Sequence, residues 1–266
     1  MTDRDKSLIE SARKLAETAV TAAGKYLVSH KQSFTIKAYK DLQDIVTTVD
    51  EEAETMIIGA IGKTYPDHNI FSEEIGQIDK GSPYTWVIDP LDGTKEYIRD
   101  IPLYCSAVML EKNGEPIASA IYDPELDELY SAGAGQGATL NHLPIHVSSQ
   151  ADLKQSMLFT YLPRNTADAV KLAPIFDLAY RIRGHANHNL SYCWVAKGGY
   201  EGHFSLFAPQ HWWDIAPGIL ILREAGGRVT NLKGENISHQ NFTSDAIGTN
   251  GKIHSQLLAA SQKIFS

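Results

Sequence analysis

Residues 86 to 98, WVIDPLDGTKEYI, place Asp89 and Asp92 three positions apart, between an apolar run and a Gly-Thr step. Trp86-Val87-Ile88 reads as a buried strand, Pro90 stiffens its exit, and Gly93 opens a backbone conformation that other residues avoid. Thr94 then stands at the expected N-cap of a helix through Lys95-Glu96-Tyr97-Ile98. Two carboxylates gathered at such a corner repel each other unless a cation lies between them. Magnesium, a hard ion that takes oxygen ligands and substrate phosphates, suits that place. The free N–H groups of a helix start favour a phosphate oxygen beside it. The alternative is an ordinary strand-turn-helix corner in which both aspartates cap backbone donors.

Two further stretches carry acidic groups that could serve the same chemistry. Phe71-Ser72-Glu73-Glu74 ends an apolar strand with two adjacent carboxylates, one of which could reach the sheet edge that holds Asp89. His211-Trp212-Trp213-Asp214 opens a helix whose apolar face continues through Ile219, Leu222 and Ala225; Asp214 is its expected N-cap and Gly226-Gly227 its stop. Taken singly, each stretch also reads as a solvated turn or a helix cap.

The elements that must position these groups follow from periodicity. Leu8, Ala12, Leu15, Ala16 and Ala19 recur at helical spacing within residues 5–29, and a second helix is expected over 47–63, ending at Tyr65-Pro66-Asp67. Short apolar segments follow at 69–72, 85–89, 105–111, 116–122 and 128–132, with turns at Asn113-Gly114 and Asp123-Pro124 that favour antiparallel strands. The second half repeats the mixture over 166–180, 190–197, 201–207 and 214–224. The Gly-rich, polar stretch 133–150 is the best place for a boundary. The expected organisation is an N-terminal α+β half, 1–142, and a C-terminal half, 143–266, that completes the site.

Bulk properties narrow the function. The 266 residues can bury a full core, and 43% apolar with 21% charged residues is ordinary for a globular chain. A formal net charge of −8 argues against general affinity for nucleic-acid phosphates, so direct nucleic-acid binding is not expected. An anionic substrate would need local positive charge, which bound divalent ions can supply. Cys105 and Cys193, the two cysteines, are expected to be buried free thiols of a reducing compartment. The start, MTDRDKSLIESARKL, lacks the apolar core of a secretory signal, and no run approaches the roughly 18–20 apolar residues of a membrane span. A cytoplasmic protein without a membrane partner is expected.

Together, Ser72-Glu73-Glu74, Trp86-Val87-Ile88-Asp89-Pro90-Leu91-Asp92-Gly93-Thr94, Trp213-Asp214 ahead of Glu224-Ala225-Gly226-Gly227, and the Asp44 to Asp50 stretch resemble, in order and spacing, the inositol monophosphatase family of magnesium-dependent phosphatases. The resemblance runs from about residue 8 to about residue 255. It implies an α+β fold, a layered α/β/α/β/α sandwich, and two or three magnesium ions held by Glu73, Asp89, Asp92, Asp214 and the Leu91 carbonyl. It further implies that Thr94 and Asp50 orient and activate the attacking water, and that the Gly93 and Thr94 N–H groups cradle the phosphate. The implied reaction is hydrolysis of a small phosphomonoester such as inositol monophosphate by direct attack of a metal-activated water, with no phosphoenzyme.

The substrate side departs from the family pattern. Where inositol monophosphatases place a substrate-binding Glu, seven residues before the Trp-Asp aspartate, this chain has Phe207. Ala186-Asn187-His188-Asn189 replaces the small Gly-Thr-Ala-type stretch, which makes Asn187 and His188, with His185 and Asn189 beside them, the expected substrate contacts. Thr94-Lys95-Glu96-Tyr97 looks more like the bisphosphate nucleotidase branch of the family. A 3′(2′),5′-bisphosphate nucleotidase and a histidinol-phosphate phosphatase are therefore alternatives. A further alternative is an interaction protein of the transcription machinery on the same scaffold, and many family members are homodimers.

Overall fold

A computed structural model describes residues 2–39, 45–184, 187–207 and 210–265. Asp44, His185 and Ala186 lie outside the described residues. Helix α1 (Asp3–Ser29) starts at a capping box in which Thr2 and Asp5 satisfy each other's backbone donors, and it buries a narrow stripe through Ala12, Ala16, Ala19 and Ala23. Strands β1 (Ile36–Tyr39) and β2 (Ile45–Thr47) form a small antiparallel pair that leads into α2 (Thr48–Thr64). Then follow β3 (Asn69–Ser72), β4 (Gly76–Ile78), β5 (Tyr84–Asp92), the short α3 (Thr94–Tyr97), β6 (Cys105–Lys112), β7 (Glu115–Asp123), β8 (Glu128–Gly133), β9 (Gly137–Leu140) and β10 (Leu143–Pro144).

These strands make one eight-stranded sheet in the order β10-β9-β8-β7-β6-β5-β3-β4. All neighbours are antiparallel except β3 and β5, which run parallel. Residues 133–150, which the composition marks as connecting chain, carry β9 and β10, which extend this sheet to Pro144.

The second half contains β11 (Met157–Thr160), α4 (Thr166–Phe176), β12 (Arg181–Gly184), α5 (His188–Ala196), β13 (Gly202–Ser205), α6 (Trp212–Glu224), β14 (Arg228–Thr230), β15 (Ala246–Thr249) and α7 (His254–Gln262). Its five strands are ordered β12-β11-β13-β15-β14. The segment 166–180 is helical only as far as Phe176, because the Tyr180 and Arg181 N–H groups turn to the Ser156 carbonyl and start β12 beside β11.

Three apolar clusters show the layers. Trp86 and Ile88 of β5 with Val108 and Leu110 of β6 pack on α1 and α2. Val87 of β5 with Cys105, Ala107 and Met109 of β6 face α5 and α6. Leu158, Phe204 and Ile247 of the small sheet pack against α4 and α7, while α5 and α6 also contact β13, β14 and β15. The order is α/β/α/β/α, the layered α+β arrangement expected from the sequence. Because helices cover both faces of the large sheet, its central strands are continuously apolar rather than alternating. Cys105 and Cys193 are both free and buried, and burial pushes both thiols well up. Among the described residues no helix is long and apolar enough to cross a membrane.

Candidate active site

The parallel pairing of β3 with β5 sets Ser72 beside Ile88, so both strands run toward the same edge of the sheet. The next residue on each is acidic: Glu73, whose N–H bonds the Ile88 carbonyl at 3.3 Å, and Asp89. Both line a cleft of about 180 Å³ together with Leu91, Asp92, Gly93, Thr94, His188 and Asp214.

A bulge brings the two aspartates of the β5 corner together. In a regular strand, residues three apart point to opposite faces. Here Asp89 pairs with Ala107 and Asp92 with Cys105, so β5 spends three residues where β6 spends two. The extra residue turns Asp92 back to the side of Asp89. Pro90, which has no N–H to lose from the ladder, sits within this irregularity, and the strand runs past it to Asp92 rather than ending at Asp89.

Gly93, not Thr94, is the N-cap of α3. Its φ of +103° is left-handed, and a Cβ there would stand 2.7 Å from the Leu103 carbonyl oxygen. The N–H groups of Glu96 and Tyr97 are the first to reach the Gly93 carbonyl, which leaves those of Gly93 and Thr94 without an intrahelical acceptor. Gly93→Ala is expected to cost about 1–3 kcal/mol in backbone strain, lowering the melting temperature by about 2–4 °C per kcal/mol, and to displace the Thr94 corner. A melt and an activity assay well below it would check both effects; an alanine variant equal to wild type in both would refute the strain.

Asp50 is fully buried in the first turn of α2, behind Thr94 rather than on the cleft wall. Its Oδ2 accepts the Thr47 N–H at 2.9 Å and the Thr47 hydroxyl, completing a capping box. Its Oδ1 accepts the Thr94 hydroxyl at 2.9 Å, and that hydroxyl also lies 3.1 Å from the Leu91 carbonyl. Burial raises the Asp50 carboxyl, against the hydrogen bonds from Thr47 and Thr94.

Helices α5 and α6 close the other side. The Asn189 N–H, in the first turn of α5, donates to Asp92 Oδ2 at 3.1 Å. Asp214 is not the N-cap of α6; that place is taken by His211, whose N–H donates to Asp214 Oδ2 at 2.6 Å. His188 lies on the cleft wall, its ring stacked on Tyr161 with centroids 5.2 Å apart. Asn187 does not join it. It is fully buried as the N-cap of α5, where its Oδ1 accepts the Leu190 N–H and its Nδ2 donates to the Asp92 carbonyl at 2.8 Å. Capping demand thus turns Asn187 inward, away from the substrate side expected of it.

Phe207 is also drawn away. It has a left-handed φ of +62° and stacks on Phe265 with centroids 4.8 Å apart, so the position brings no carboxylate to the cleft. The cleft is instead lined by Lys95, Glu96, Tyr161, Arg164 and His211, of which Tyr161 and Arg164 carry no sequence signal. Both follow β11 in an irregular stretch with no periodicity to mark them.

The electrostatics favour a cation. Burial first, then the carboxylates of Glu73, Asp92, Asp214 and Asp50, pushes the Asp89 carboxyl well above the usual carboxylate range. Asp92 is pushed up by burial and by Asp214, against the opposing hydrogen bonds from Asn189. Asp89 Oδ1 is buried with no hydrogen-bond partner, an arrangement that costs free energy unless something positive meets it. Among the described residues no three carboxylate, imidazole or thiol side chains close into a ready cage; the acids line an open cleft. Their oxygen-only chemistry fits magnesium, which binds through one or two carboxylates plus water and phosphate rather than in an all-protein cage.

The model of the inositol monophosphatase family matches residues 7–265 of this chain. The Xylella fastidiosa protein "Nus factor SuhB" is 38% identical over 223 residues, 81% of this chain and 80% of its own. The Aquifex aeolicus protein "Fructose-1,6-bisphosphatase/inositol-1-monophosphatase" is 35% identical over 260 residues, 94% of this chain and 95% of its own. Among solved structures, the inositol monophosphatase from Anabaena superposes with a TM-score of 0.84 at 30% identity, covering 96% of each chain.

Proposed function

The chain belongs to the inositol monophosphatase family, and from that premise we propose that its cleft hydrolyses a small phosphomonoester, such as inositol monophosphate, with magnesium. The observation that carries the reading is the partnerless, buried Asp89 Oδ1 among Glu73, Asp92 and Asp214, beside the Gly93 and Thr94 N–H groups that no carbonyl of α3 accepts. Those four carboxylates and the Leu91 carbonyl would hold the ions. When bound, magnesium supplies positive charge that neutralises phosphate and acidifies water.

The residues of the chain divide the remaining work. The N–H groups of Gly93 and Thr94 bind a phosphate oxygen at the start of α3. The Thr94 hydroxyl, held by Asp50, orients the attacking water, and Asp50 takes its proton through Thr94. Burial of Asp50 favours this, because a raised carboxyl is a better proton acceptor. His188, Tyr161 and Arg164 face the leaving alcohol, with no acidic side chain from position 207 to bind sugar hydroxyls. A substrate of the 3′(2′),5′-bisphosphate or histidinol phosphate type therefore stands beside inositol monophosphate. Through the same resemblance, the proposal includes a homodimer in the cytoplasm.

Phosphate release from inositol 1-phosphate, fructose 1,6-bisphosphate, histidinol phosphate and 3′-phosphoadenosine 5′-phosphate tests the reading. Turnover that requires magnesium and stops with chelator is expected; none on any of the four would sink it. The name "Nus factor" on a 38% identical relative favours a second reading, an interaction protein of the transcription machinery on this scaffold. Retention of Glu73, Asp89, Asp92 and Asp214 in one cleft favours the enzyme.

A further inference from the structure

Glu54 lies one helical turn beyond Asp50 in α2 and is only 2% exposed. Its Oε1 accepts the Ser72 hydroxyl, the Glu74 N–H at 3.1 Å and the Ile75 N–H at 3.2 Å. These donors flank Glu73 on both sides. A single carboxylate oxygen thus closes the turn between β3 and β4 whose first side chain lines the cleft. Burying a carboxylate is costly without such donors, and here they come from the last residue of β3 and from the turn that follows it.

We infer that Glu54 is a positioning residue for Glu73, and that α2 sets the spacing of the two sides of the site. Asp50 holds Thr94 at one point of the helix; Glu54 holds the Glu73 turn about one 5.4 Å pitch farther on. Ligand oxygens must sit within about 0.5 Å of their working places, and a turn at a sheet edge has no such precision by itself. The inference rests on the proposed reading of the cleft.

The test is the rise in melting temperature of the full-length, metal-free chain on titration with magnesium chloride, with phosphate release measured in parallel. Glu54→Ala is expected to need about 10–100-fold more magnesium for its half-maximal shift, the usual cost of removing a group that orients a ligand. Glu54→Gln keeps an oxygen that can accept the same donors and is expected to stay near wild type. A folded Glu54→Ala with wild-type magnesium dependence would overturn the inference. So would a Glu54→Gln as weak as the alanine variant, because the charge of Glu54 rather than the tied turn would then matter. If Glu54→Ala does not fold, Ser72→Ala serves: it removes one donor and leaves the carboxylate, and a right-shifted magnesium curve supports the inference while an unmoved one refutes it. A wild-type chain with no magnesium shift would overturn the cleft reading as well, whereas a wild-type shift with unmoved variants overturns this inference alone.

Discussion

Asp89→Asn is expected to release phosphate about 10²–10³-fold more slowly than wild type, yet to melt at a higher temperature in magnesium-free buffer at neutral pH. The first effect follows from losing the carboxylate at the centre of the acidic cluster. The second follows from what that carboxylate costs. Asp89 is 1% exposed, and burial together with Glu73, Asp92, Asp214 and Asp50 raises its pKa well above 3.8. Stability from a group with a raised folded pKa is fully present below the unfolded value and is lost as pH rises through the folded one. The metal-free wild type should therefore lose ground to Asp89→Asn as pH climbs through the raised value. Magnesium should reverse the order, since a ligand that binds only the folded state stabilises it in proportion to its affinity. Melts of both proteins across pH, with and without magnesium, check the sign. A wild type more stable than the variant at neutral pH without magnesium would show that the cluster is not held under charge repulsion.

Asp50→Asn is expected to lower kcat by about 10²–10⁴-fold while leaving the magnesium-induced rise in melting temperature near that of wild type. Both oxygens of Asp50 are engaged, Oδ2 by the Thr47 N–H and hydroxyl and Oδ1 by the Thr94 hydroxyl. An amide can keep its oxygen on Thr47 only by turning its NH₂ toward Thr94. That reverses the Thr94 hydroxyl and leaves nothing to take a proton through it. Thr94→Val should lose as much rate and Thr94→Ser much less, because serine keeps the hydroxyl. Steady-state phosphate release at saturating magnesium separates these cases; an Asp50→Asn variant as fast as wild type would remove the pair from the reaction. Unlike Asp89→Asn, this change spares the residues proposed to hold the metal, so the two variants divide metal binding from proton transfer.

The acidic residues and their order are legible in the amino-acid sequence, and so are the long helices. The alanine stripe of α1 and the apolar runs of β5 and β6 report burial directly, and burial repeats at the period of the element. Local signals mislead where more than one residue competes for a cap. Thr94 and Asp214 both have N-cap chemistry, but Gly93 and His211 hold those places. Asn187 reads from the chain as an available polar group, yet it is consumed by the start of α5 and by the Asp92 carbonyl.

What the sequence determined by itself is the inventory: an oxygen-rich acidic set suited to magnesium, a Gly-Thr helix start suited to phosphate, and helix-then-strand halves that must stack in layers. Only the tertiary structure decided that Asp89 and Asp92 share a side, since that depends on a bulge against Cys105 and Ala107 of another strand. It also decided that Glu54 ties the Glu73 turn and that Phe207 turns to Phe265. Periodicity and capping are properties of a few consecutive residues, whereas these contacts join residues up to 58 positions apart, as Phe207 and Phe265 are (265 − 207). Their geometry is set by how the layers pack.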